Sequence, residues 1–120
     1  MIFHIVGRAD WDYARRRGVY RPPSLAAEGF IHCSTSKQVV DTANLFYRGR
    51  SDLVLLIIDE TRIAAPLRYE MPLAAGDMRA ALTFPHIYGP LNLDAVIRIE
   101  DLPCEADGTF QSPSSLQSIA

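Results

Sequence analysis

Cysteine is scarce in this 120-residue chain: Cys33 and Cys104 are its only two, too few for a disulfide framework. Charge of one sign is missing too. Twelve basic and fourteen acidic residues give a formal charge of −2, so no global field draws the chain to nucleic acid and any phosphate recognition must be local. Long apolar runs are absent. The longest, Leu53 to Ile58, falls far short of the roughly 18 residues that suggest a membrane span. The apolar start, Met1 to Val6, is about one strand long and lacks a charged lead, so it does not read as a signal peptide. No Gly-rich phosphate fingerprint, Cys-x-x-Cys pair or His-Glu-x-x-His motif occurs. No internal repeat occurs either. These absences point to a cytoplasmic, reduced, soluble protein with no membrane partner.

What is present is the balance of a globule: 48% apolar and 22% charged residues, at a length suited to one core. Ile2–Val6 reads as a strand with Ile2, His4 and Val6 on one face. Asp10–Gly18 reads as a short helix, acidic at its front, with Arg15, Arg16 and Arg17 in its last turn and a glycine stop. Those arginines, with Arg21, form either a solvated surface or an anion patch. Val19–Glu28 reads as irregular because of Pro22-Pro23. A strand at Phe30–Ser34 and a helix over Ser36–Arg48, with Phe46 and Tyr47 as core, follow. Leu53–Ile58, apolar on both faces, reads as a central strand, and Asp59-Glu60 as the start of a turn. Leu67–Met71 alternates as a strand, and Asp77–Leu82 reads as a helical turn. Phe84–Pro90 reads as a constrained loop, and Ala95–Glu100 as a last strand with Ala95, Ile97 and Ile99 inward. Residues 1–102 then form a single α+β domain, and 103–120 a loose C-terminal tail.

Chemistry rests on few residues. Histidine titrates near neutrality without help, and there are three, His4, His32 and His86, each on or beside a strand. Each is either a hydrogen-bonded structural residue or part of a shared cleft. Ser34 shares a face with His32, whereas Cys33 points the other way and reads as a buried small hydrophobe. Glu70 is a mid-strand carboxylate, paired with Arg68 or used to stabilise positive charge. Tyr20 and Tyr88 stand in proline-rich segments where a ring can stack on a flat ligand.

The stretches Glu28-Gly29-Phe30-Ile31-His32-Cys33-Ser34 and Phe84-Pro85-His86-Ile87-Tyr88-Gly89-Pro90 resemble the bacterial family known as domain of unknown function 952. Ile2-Phe3-His4-Ile5, Ser24-Leu25, Asn44–Gly49 and Leu67–Glu70 fit it too. That family is similar to ADP-ribosyltransferases, and among them to the small enzymes that remove an RNA 2′-phosphate using NAD. The resemblance implies a mixed split β-sheet flanked by helices and a nucleotide-binding transferase. The resemblance makes NAD the expected cofactor and matches His4, His32 with Ser34, and Glu70 to the superfamily's site; the residues' own reading adds His86, so that His32, Glu70 and His86 are the expected catalytic groups and His4, Ser34, Tyr20 and Tyr88 hold the ligand. The alternatives are a non-catalytic binding module and a metal-dependent hydrolase, although no metal ligand set is assigned.

Overall fold

The computed structural model describes residues 1–71, 82–113 and 116. The helical turn expected over Asp77–Leu82 lies, apart from Leu82, outside them. The chain runs through β1 (Ile2–Gly7), α1 (Arg8–Arg17), β2 (Val19–Tyr20), α2 (Pro23–Glu28), β3 (Ile31–His32) and α3 (Val39–Phe46). It continues through β4 (Leu53–Ile58), β5 (Leu67–Glu70), β6 (Phe84–Ile87), β7 (Leu91–Asn92) and β8 (Val96–Asp101).

The two apolar runs pair with each other. β1 and β4 are antiparallel with His4 opposite Leu56, and all twelve of their residues are buried. A strand apolar on both faces needs cover on both. Ile2, Val6, Leu56 and Ile58 pack against Trp11, Ala14 and Tyr20, while Phe3, Ile5, Leu55 and Ile57 pack against Val39 and Ala43 of α3. Each such side chain contributes about 1.5–3 kcal/mol by leaving water. β8 completes this sheet in the order β1-β4-β8. β2 pairs with β7, and the third sheet has the order β3-β6-β5. Every described strand pairing is antiparallel, where a mixed sheet was expected. Among the described residues no helix is long and apolar enough to cross a membrane.

Several local expectations are corrected. Val19–Glu28 is not irregular throughout: Pro23 opens α2, where a missing N–H costs nothing, and Gly29 closes it at φ 89°. Phe84–Ile87 is a central strand and not a loop. Pro85 is tolerated there because its carbonyl is the group in use, accepting from Cys33 N–H at 3.0 Å. Ile97 and Ile99 are exposed, since β8 is an edge strand with a register slip against Ile57/Ile58. Helix α3 is shorter than Ser36–Arg48 and turns Phe46 outward, 53% exposed, while Val39 and Ala43 face in. Among the described residues beyond Leu102, Phe110 and Leu116 are buried, and Asn44 bonds both backbone groups of Phe110.

One close approach is testable. A Cβ on Gly89 would stand 2.8 Å from Cβ of Ala65, beside the bond from Tyr88 N–H to the Pro66 carbonyl. Gly89→Ala is expected to destabilise by about 1–3 kcal/mol in urea unfolding, and Ala65→Gly in the same chain to restore most of it.

Candidate functional site

The site begins where two sheets part. Phe3 and Ser34 exchange both backbone hydrogen bonds at 2.8 Å, joining β1 to the end of the third sheet. Past that bridge the His4 ring replaces the ladder, its Nδ1–H donating to the His32 carbonyl at 2.5 Å. A carbonyl only accepts, so the proton sits on Nδ1 and Nε2 accepts from the Tyr20 hydroxyl at 2.6 Å. Burial lowers the His4 pKa to about 4, which keeps this tautomer neutral. Burial also pushes the Tyr20 phenol well above its usual range. His4 and Tyr20 therefore spend their polar atoms on each other and on the strand junction.

The split opens into a cavity of about 550 Å³. His4, His32, His86, Ser34 and Tyr20 all line it, so three imidazoles from β1, β3 and β6 meet at one hollow. Glu70 and Tyr88 are not on its wall. They hold His86 from outside: Nδ1–H donates to Glu70 Oε1 at 2.9 Å, and the Tyr88 hydroxyl donates to the same oxygen. These bonds, from Tyr88 first and then His86, keep the Glu70 carboxyl below its ordinary value, hence ionised at neutral pH. The expected Arg68–Glu70 pairing is absent among the described residues; the Arg68 guanidinium lies over the Tyr88 ring at 5.0 Å. With Nδ1 taken, Nε2 of His86 has no partner among the described residues. The ring is 2% exposed and stacks on Phe30 at 4.1 Å.

His32 is more open. Its Nε2 meets Glu28 Oε2 at 2.5 Å, and its ring stands 5.6 Å from that of His86. Glu28 is the carboxylate next to the histidines on the cavity wall; Asp10 and Arg50 line it as well. Arg50 is held by Asp52 at 3.0 and 2.7 Å and lies over the Tyr47 ring. The Ser34 hydroxyl bonds Thr42 at 3.2 Å. Cys33 is buried and its thiol is pushed far up by desolvation, so it is a packing residue and no nucleophile. Backbone groups alternate sides along a strand, so Ile5, two residues past the Phe3 bridge, turns its N–H and C=O into the split. Among the described residues no group of three or more His, Cys, Asp or Glu is placed to hold a metal ion.

Sequence reasoning missed Glu28, Phe30 and Arg50. For Glu28 the signal was there: it heads the Glu-Gly-Phe-Ile-His-Cys-Ser stretch, four residues before His32, and a one-turn helix end brings it back onto the ring.

Residues 5–99 match the family described as "Protein of unknown function (DUF952)". The chain belongs to the DUF952 family. Glu28, His32, Ser34, Glu70 and His86 all fall inside the matched DUF952 segment, and His4 lies just before it. The fold is similar to that of protein CC0527 from Caulobacter crescentus. Two crystal structures of CC0527, the protein itself and a double mutant, are 35% identical, cover 97% of each chain and give a TM-score of 0.83. Its solution NMR structure is 36% identical over 92% of this DUF952 chain and 90% of that one, with a TM-score of 0.76. No curated protein matches the sequence.

Proposed function

We propose that this DUF952 chain binds a nucleotide-type ligand of the NAD class in the split-sheet cavity and acts on it as a transferase. The observation that supports this is the meeting of three imidazoles and the Glu28 carboxylate on one hollow of about 550 Å³, a volume within the roughly 300–1,000 Å³ of small-ligand sites.

The residues present fit such a ligand group by group. Phe46 and Tyr47 offer ring surface and the Ile5 edge a donor–acceptor pair matching a carboxamide, while Arg50 is already paired with Asp52. When bound, NAD would supply an electrophilic ribose carbon, which would bond a nucleophilic hydroxyl of the acceptor as its bond to nicotinamide breaks and the electron pair leaves on that ring. In this reading Glu28, on the cavity wall where Glu70 is not, stabilises positive charge there. His32 and Ser34 bind ribose hydroxyls. Nε2 of His86 takes the acceptor's proton, and Glu70 behind it holds the resulting imidazolium. His4 and Tyr20 position the wall. Tyr88 acts through Glu70.

Calorimetry with NAD and ADP-ribose, followed by assay of nicotinamide release, tests this. Binding of both is expected, with His86→Gln leaving affinity nearly unchanged and slowing release by about 10²-fold or more. Absence of binding by either at millimolar concentration contradicts the proposal. A non-catalytic module is favoured by one observation, that Glu28 and Glu70 are each already engaged with an imidazole. Binding without nicotinamide release selects it.

A further inference from the structure

A second hollow adjoins the first. It measures about 370 Å³ and shares Asp10, Tyr20, Pro22 and Pro23 with the split-sheet cavity, so the two lie side by side at those residues. Its own wall includes Tyr13, Val19, Arg17 and Arg21.

The arginines are the unexplained part. Arg15, Arg16 and Arg17 in the last turn of α1 complement the negative end of the helix dipole. Arg21 lies past the Gly18 stop, where the dipole no longer acts, yet it lines the same hollow as Arg17. Arg15 comes within 3.9 Å of Asp12. Arg17 is oriented by Tyr13, donating to its hydroxyl at 3.1 Å with the guanidinium 5.6 Å from the ring centroid. Among the described residues neither Arg17 nor Arg21 has a carboxylate partner. Two exposed guanidiniums lining one hollow with tyrosine, valine and proline match a compact oxyanion joined to an organic body, because the planar fork bonds two oxygens at once. Asp10, on the shared wall, repels an anion but accepts from hydroxyls. The anion therefore belongs at the arginine end, and a hydroxyl-bearing sugar at the junction.

We propose that the second hollow binds a phosphoryl group of the ligand whose remaining part fills the split-sheet cavity, so that the substrate class is a phosphorylated nucleotide reaching across Pro22-Pro23. This rests on the nucleotide reading of the first cavity.

The test uses the whole chain and three probes: adenosine, ADP-ribose and inorganic phosphate. Calorimetry gives affinities, and NMR follows the Arg Nε–Hε and histidine-ring signals. ADP-ribose is expected to bind at least tenfold tighter than adenosine, a difference of about 1.4 kcal/mol. Arg17→Ala and Arg21→Ala are each expected to weaken ADP-ribose about fivefold or more, to leave adenosine unchanged, and to flatten the loss of affinity with salt. Arg98→Ala, on β8, is the control and changes nothing. Suppose ADP-ribose shifts the His32 and His86 rings while both arginine variants bind it normally: the phosphoryl site is then wrong and the cavity reading stands. If inorganic phosphate shifts the arginine signals but ADP-ribose leaves the histidines untouched, the bridging ligand is ruled out. No response to any probe overturns both readings.

Discussion

Replacing His4 by leucine is expected to lower the unfolding free energy by about 3–5 kcal/mol, because two buried polar groups lose their partner in one step. The leucine side chain fills much of the space but strands the His32 carbonyl and the Tyr20 hydroxyl. Urea unfolding should show a lower midpoint at unchanged slope, the mark of lost stability without a change in the surface exposed. The same ring makes stability depend on pH in one direction. His4 titrates at 6.5 when unfolded and at about 4 when folded, so between those values the unfolded chain binds more protons. Its contribution is therefore complete above pH 6.5, falls as pH drops towards 4, and amounts to on the order of 3 kcal/mol across that window. His4→Gln should remove that part of the slope. A His4→Gln chain that loses stability on acidification just as the parent does would show that His4 is already protonated or exposed.

Phe30→Ala should cost a similar amount, about 3–5 kcal/mol, through the void left by a buried ring. The larger interest is in what the ring touches. Phe30 stacks on His86 at 4.1 Å, meets His32 edge-on at 4.8 Å and leans on Tyr88 at 5.3 Å. It is the apolar ring packed against both cavity imidazoles, and we expect it to hold the angle between them. Phe30→Leu keeps most of the volume and should cost only about 1–1.5 kcal/mol. It should still broaden the His86 ring signals, since the stacked face is gone. Sharp, unshifted His86 signals in Phe30→Leu would mean that Glu70 alone fixes the ring.

The core was legible because it depends on pattern. Leu53–Ile58 is apolar at every position, and that forces cover on both faces wherever the strand lies. The arginine-rich, glycine-ended helix α1 was legible for the same local reason, since caps and dipole act within a turn. Pro85 misled because a proline reads as a strand breaker unless one knows which backbone group the neighbouring strand needs. After Leu102 the composition of Ser, Gly and Pro dominates the reading, and pattern alone does not single out the buried Phe110 and Leu116. At the site, period-two reasoning put His32 and Ser34 on one side and Cys33 on the other; all three line the cavity, and Cys33 also packs in the core with Ile31. It had no means of placing Glu70. Strand position put that carboxylate beside His86 in the neighbouring strand, and only the third dimension shows that it stands behind the ring and not in the cavity. Glu28 is the converse case, a residue close in sequence to His32 whose meaning depends on the short helix α2 ending there and capped by Gly29.

If β1, β3 and β6 deliver their imidazoles to one ligand-binding hollow, histidine-ring NMR under titration with NAD and ADP-ribose shows it. His32 and His86 signals are then expected to move together with a single saturation curve, while His4, locked between the His32 carbonyl and Tyr20, keeps its Nδ1–H tautomer throughout. Rings that stay in place at millimolar ligand, or that respond one at a time with different affinities, would contradict it.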